Sequence, residues 1–121
     1  MKSTTVYFFS STQSPVTVTC EIAETLFEKK QGLIGRSSLP DGQGMLFMFS
    51  LPWIRCFWMK GVLFPLDIIF IRKKKIVKII HASCETALFP RFYCGFITAV
   101  IECTQGFCQR YGIEIGSRVD F

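Results

Sequence analysis

The sequence predicts a mainly β domain: a compact jelly-roll-like β-sandwich or barrel with one amphipathic helix and a short C-terminal helical turn. Three observations lead there. Several short runs are rich in β-branched and aromatic residues, Gly/Pro turn signals separate them, and there is one well-formed helix start. The 121 residues suffice for a single domain, 1–121, with one core. Half of them are hydrophobic and 13 are Phe, the composition of a dense core and not of a disordered chain.

Val16-Thr17-Val18-Thr19-Cys20-Glu21-Ile22 alternates with period two and reads as a strand. Thr25-Leu26-Phe27-Glu28 is a T-x-x-E capping box, and Gly35 is the expected stop of the helix it starts. Leu26, Phe27, Leu33 and Ile34 would then form an apolar stripe packed against the sheet, with Glu28, Lys29 and Gln31 turned to water. Residues 37–44 carry the Pro40-Asp41-Gly42 turn signal. Strands are expected at 45–49, 56–60, 67–72, 76–81 and 96–103, with loops at 50–55, 61–65 and 83–95 between them. Residues 45–49 and 68–71 are apolar at consecutive positions, so both faces of those strands should be covered. Gln105 to Tyr111 should form a helical turn ending at Gly112, followed by a last short strand over 118–121.

The net charge of +5 is concentrated in Arg72-Lys73-Lys74-Lys75. Between two apolar runs, and without aromatic residues interleaved, this run reads as a solvated hairpin tip; neither nucleic acid nor membrane is expected as a partner. Six cysteines, Cys20, Cys56, Cys84, Cys94, Cys103 and Cys108, lack any C-x-x-C or Cys/His spacing. They are expected to be reduced and structural, with no metal and no cofactor. The only apolar run near the N-terminus is Val6-Tyr7-Phe8-Phe9, too short for a signal-peptide core, so a cytoplasmic location is expected unless a leader was removed.

The stretch GMLFMFSLPWIRCFWMKGVLFPLD, from Gly44 to Asp67, sets Arg55, Lys60 and Asp67 among apolar residues. On a strand over 56–60, Phe57 and Met59 would face the core, while Cys56, Trp58 and Lys60 would face the other way. An indole beside an ammonium suits the floor of a partly open groove. If that strand formed a hairpin with the one beginning at Asp67, Lys60 and Asp67 would compensate each other across the Gly61–Pro65 bend.

Gly32-Leu33-Ile34-Gly35-Arg36, Leu39-Pro40, Gly44-Met45-Leu46-Phe47, Phe57-Trp58-Met59-Lys60 and Pro65-Leu66-Asp67 occur in this order, followed by Val100-Ile101-Glu102, Gly106, Tyr111-Gly112-Ile113 and Gly116. This succession resembles the bacterial and archaeal family catalogued as domain of unknown function 192, over about residues 16–119. The resemblance implies a jelly-roll-like β-sandwich with one helix in its first half, and no established activity. Where the family has Asn-Thr after its FWMK motif, this chain has Gly61-Val62. The family's Asp/Gly turn between later strands is replaced here by the lysine run, and its proline near position 85 by Glu85. Many members also carry an export signal.

Arg36, Lys60, Asp67 and Glu102 are the charged residues that coincide with the family pattern. With Trp58 they are the candidate ligand-binding residues; no catalytic residue is assigned. Either they fix turns around the core, or Trp58 and Lys60, with Arg36 nearby, line a groove for a small anionic or sugar-like ligand or a peptide. Asp67 fits the structural role better. His81 ends the Val77, Ile79 alternation and is expected to be packed or hydrogen-bonded on the covered face. Cys56, near Arg55 and Lys60, is expected to be a core thiol despite its basic neighbours. Two other readings stand beside the binding module. One is an enzyme, hydrolase or transferase, using Glu102, Asp67 or Lys60. The other is an interaction module resting on Trp53-Ile54 in a loop. The sequence does not fix an oligomeric state.

Overall fold

Strand β1 (Ser3–Phe9) pairs with β2 (Val16–Ala23) and, on its other edge, with the last strand, so that the sheet curls round and closes on itself. In the computed structural model the remaining elements are α1 (Leu26–Gln31), β3 (Gln43–Phe57), β4 (Leu66–Arg72), β5 (Lys75–Ala82), β6 (Phe92–Thr104), α2 (Phe107–Tyr111) and β7 (Arg118–Asp120). The structure describes residues 1–10, 14–57, 59, 61–83 and 92–121, with the side chains of 51–57 and 92–94 left out. The strand order β1-β2-β3-β6-β4-β5-β7 forms a closed barrel, the second of the two expected architectures. Closure at the seam between β5 and β7 rests on one pair, Lys75 with Arg118.

Two apolar layers follow from strand alternation. Val6, Phe8, Val18, Cys20, Leu46, Ile69, Ile71, Ala99, Ile101 and Cys103 point into the barrel, and Phe107 of α2 is packed among them, its ring 5.2 Å from that of Phe8. The opposite faces of β3, β4 and β6 offer Met45, Phe47, Ile68, Phe70 and Val100, covered by Leu33, Leu39, Met59 and Val62 from the two connecting segments. Both faces are covered over 68–71 as the sequence predicts, whereas of 45–49 Met45, Leu46 and Phe47 are buried on both faces and Met48 is exposed.

The capping box at the start of α1 forms as expected. Thr25 Oγ1 accepts the Glu28 N–H at 3.1 Å, and Glu28 Oε1 accepts the Thr25 N–H at 3.0 Å. The helix ends earlier than expected, at Gly32, whose φ of 49° is open to glycine at little cost. That early stop breaks the expected stripe. Leu33 follows the reversal and is buried against the barrel wall, whereas Leu26 and Phe27 stand 71% and 75% exposed on the helix's first turn.

Three further expectations are corrected. Residues 3–9 form β1, a strand not expected from so short an apolar run. Residues 50–55 are not a loop but part of β3, which runs on to Phe57 with register shifts against β6 after Met48 and again after Trp53. Strand β6 begins at Phe92, inside the segment expected to be a connection. In all three, cross-strand pairing fixes a backbone whose local sequence carries little alternation.

Leu33→Ala should destabilise the fold by about 2–5 kcal/mol, the usual range for a large-to-small change in a core. Phe27→Ala, on the exposed turn of α1, should change stability by no more than about 0.5 kcal/mol. Denaturant unfolding of the two variants checks both values.

Candidate functional site

Inside the barrel one cross-strand row carries most of the chemistry. Cys20 of β2 lies beside Gly44 of β3, Gly44 beside Cys103 of β6, Cys103 beside Asp67 of β4, and Asp67 beside His81 of β5. Gly44 has to be glycine here. A Cβ at that position would come within 2.9 Å of the Glu102 carbonyl oxygen and 3.2 Å of Cys20 Sγ. Cys20 and Cys103 are free, with two strand spacings, roughly 10 Å, between their backbones, beyond disulfide reach. Burial pushes the Cys20 thiol up to about 12 and Cys103 well above its ordinary value, so neither is a ready nucleophile. Cys108 is also free and is raised by burial and by the Asp67 carboxylate beside it. The side chains of Cys56, Cys84 and Cys94 lie outside the described residues.

Asp67 is fully buried. Its Oδ1 lies 2.6 Å from His81 Nδ1, and its Oδ2 accepts the Cys108 N–H at 3.0 Å. That N–H belongs to the first turn of α2, whose N-cap, Gly106, brings no side-chain acceptor. The carboxylate thus caps a helix from a distant strand and orients an imidazole whose side chain is 58% exposed.

On the outer face of the same strands a second row runs Glu21, Met45, Glu102, Ile68, Ile80. Glu21 receives both ends of the Arg36 guanidinium, at 2.5 and 3.3 Å, and this holds its carboxyl below the ordinary range. Glu102, between Met45 and Ile68, is only 5% exposed. Its carboxyl has no hydrogen-bond partner among the described residues, and burial pushes it up to about 8. Burial thus favours its protonated, neutral form at pH 7.

Arg36 and Glu102 therefore share the outer face, while Asp67 lies on the inner one. Trp58 and Lys60 fall outside the described residues; Met59 between them is buried in the outer layer with Met45 and Ile68. The expected hairpin joining 56–60 to the strand at Asp67 is not formed. Strand β6 runs between β3 and β4, and β3 ends at Phe57. Asp67 is compensated by His81 and the Cys108 amide.

His81 is hydrogen-bonded as expected, but at the end of the inner row it stands exposed and not packed. Counting back from the hairpin tip pairs Asp67 with Ile80; a register shift between Phe70 and Ile71 moves the pairing to His81. No turn residue in the sequence announces that shift. Trp53 and Ile54 belong to β3 and not to a loop, which removes the basis of the interaction reading. Among the described residues no group of three or more His, Cys, Asp or Glu could hold a metal ion, and no helix is long and apolar enough to cross a membrane.

Fold and site together define a small closed β-barrel with polar groups set into both of its apolar layers. The chain belongs to the uncharacterized ACR family, domain of unknown function 192, whose pattern matches residues 8–121. It is similar to two solved structures. One, from Sinorhizobium meliloti 1021, is provisionally described as a transcription regulator. It is 25% identical with a TM-score of 0.92, over 98% of this chain and 93% of that one. The other is a protein of unknown function from Novosphingobium aromaticivorans DSM 12444. It is 28% identical with a TM-score of 0.86, over 98% of this chain and 85% of that one. No curated protein matches significantly.

Asp67→Ala should cost about 3–5 kcal/mol, because it removes a buried acceptor and strands the α2 amide. His81→Ala should cost less, its ring being half in water. A double-mutant cycle in denaturant should give a coupling above about 0.5 kcal/mol.

Proposed function

We propose that the protein is a binding module for a small anionic or sugar-like ligand, with its site on the outer face of the barrel around Glu102. The observation that carries this reading is the buried Glu102 carboxyl, which has no hydrogen-bond partner among the described residues. Leaving such a group unpaired costs about 1–3 kcal/mol, a cost usually met at sites that serve a ligand. As a neutral acid it donates one hydrogen bond and accepts another, and so can meet a hydroxyl or a carboxylate without charge repulsion. Arg36 stands on the same face with donors beyond those given to Glu21. Trp58 and Lys60, either side of the anchored Met59, would supply a stacking surface and a second cation.

The second reading, an acid–base enzyme of the hydrolase or transferase kind, rests on the Asp67–His81 pair. A buried carboxylate holding Nδ1 leaves Nε2 for proton transfer on the exposed side of the ring. The thiols beside that pair, Cys103 and Cys108, are held protonated by burial and by the Asp67 carboxylate, so the binding reading is preferred.

The ionisation of Glu102 gives a test that needs no ligand. From the ordinary carboxylate range up to about pH 8 the unfolded chain has released this proton and the native state still holds it, so stability falls as pH rises. Glu102→Gln should remove that part of the slope and make the protein more stable at pH 8 than the wild type, by at most roughly 4–5 kcal/mol. Urea unfolding from pH 4 to pH 8 measures both curves. Ligand binding is tested by thermal shift against a panel of small carboxylates and monosaccharides. Stabilisation by a panel member that weakens in Arg36→Ala supports the site; a panel without effect on the wild type counts against it.

A further inference from the structure

The end of the barrel away from His81 carries a second, differently built surface. Arg72 pairs with Lys75, so Lys73 and Lys74 are the two central residues of a tight hairpin turn. Their φ values are 49° and 64°, the conformation that such turns ordinarily fill with Asn and Gly. A third non-glycine residue with positive φ, Phe96 at 56°, completes the set among the described residues. It sits in a bulge where Gly95 and Phe96 of β6 face one residue of β3, between the Trp53↔Ile97 and Arg55↔Cys94 pairs.

These three strained positions are neighbours. Arg72 donates from Nε to the Phe96 carbonyl at 3.2 Å and from its guanidinium to the Gly95 carbonyl at 2.9 Å, and lies over the Phe96 ring at 5.9 Å. The backbone cost thus presents two ammonium groups and one phenyl ring to water, and Phe96 is 64% exposed. Lys75 pairs across the barrel seam with Arg118. Around this tip Arg72, Lys73, Lys74, Lys75 and Arg118 outnumber two nearby carboxylates, Asp120, which Lys74 neutralises at 2.8 Å, and Glu114, which lines a shallow cleft with Ile115 and Arg118. Two aliphatic side chains lie at the same end. Met48 shares a row with Ala99 and Ile71, and Ile115 precedes Gly116, which donates to the Ile76 carbonyl; both side chains are exposed.

We propose that this end of the barrel docks on the surface of an anionic phospholipid bilayer, the lysines and arginines meeting headgroup phosphates and Phe96 entering the boundary with the acyl chains. A projecting tip, cationic around its rim and apolar at Phe96, Met48 and Ile115, matches a flat negatively charged interface. Single-stranded nucleic acid is matched less well. It requires successive open aromatic faces, and here the rings of Phe9 and Phe121 are half-buried with Arg118 and Lys74 over them, while the exposed Phe96 stands with two aliphatic side chains that cannot stack on bases.

The turn provides a test in which binding and folding move in opposite directions. The purified protein is sedimented with phosphatidylcholine vesicles prepared with and without phosphatidylserine. Retention should require phosphatidylserine and decline with added salt. In the double variant Lys73→Asn, Lys74→Gly retention should fall by roughly tenfold or more, as the loss of two surface cations implies. The same variant should unfold at a higher temperature, since its turn residues suit the backbone. Phe96→Gly should also relax the bulge and weaken retention. Absence of retention by phosphatidylserine vesicles at low salt would overturn the proposal, as would equal retention by neutral vesicles. So would binding to a thymidine oligonucleotide with none to vesicles. Retention unchanged in both variants would place the contact elsewhere on the chain and overturn it too.

Discussion

A carboxylate withdrawn from water at the end of a barrel must be compensated by whatever the fold brings to it, and Asp67 is compensated by two elements at once. His81 comes from the next strand and the Cys108 amide from a helix some forty residues further on. The two contacts fix α2 across the barrel end, and α2 in turn brings Phe107 into the interior against Phe8. An isolated five-residue helix has no stability of its own in water. Its place in this fold depends on Asp67 and on the ring it buries.

The same constraint explains how the polar residues are divided between the two layers. The central segments of β3, β4 and β6, around Leu46, Ile69 and Ile101, are dry on both faces, so each charged group there needs a local solution. Asp67, on the inner face, is paired. Glu102, one position along the neighbouring strand from Asp67's partner Cys103, lies on the outer face, where burial instead shifts it toward its neutral form. Gly44 lies between Cys20 and Cys103 and leaves the backbones of β3 and β6 room to approach. The GMLF motif therefore combines a steric requirement at Gly44 with alternating contributions to both layers from Met45, Leu46 and Phe47.

Much of this was legible in the sequence because period-two alternation, consecutive apolar runs and the T-x-x-E box each have a local physical cause. Strands β2, β4 and β5, the helix start and the terminal helical turn could be read directly. The misses share a different cause, since they depend on partners remote in sequence. Strand β1 is held by β2 and β7, the middle of β3 by β6, and the Asp67–His81 contact by a register shift that no turn residue announces. Arg36 and Glu102 were recognisable from the family pattern, but that they share a face while Asp67 does not follows from β6 lying between β3 and β4. Leu26 and Phe27 matched a helical stripe only while the helix was taken to continue to Gly35.

The dependence of the barrel end on Asp67 is read most directly from the Cys108 amide. It lies in the first turn of a helix, where backbone N–H groups have no intrahelical partner and normally exchange with solvent quickly. If its acceptor is the buried carboxylate, native-state hydrogen exchange will find this amide protected to the level of the β4–β6 ladder amides. Exchange at the rate of an open helix end would contradict the account, because it would show α2 detached from the carboxylate on which its position is argued to depend.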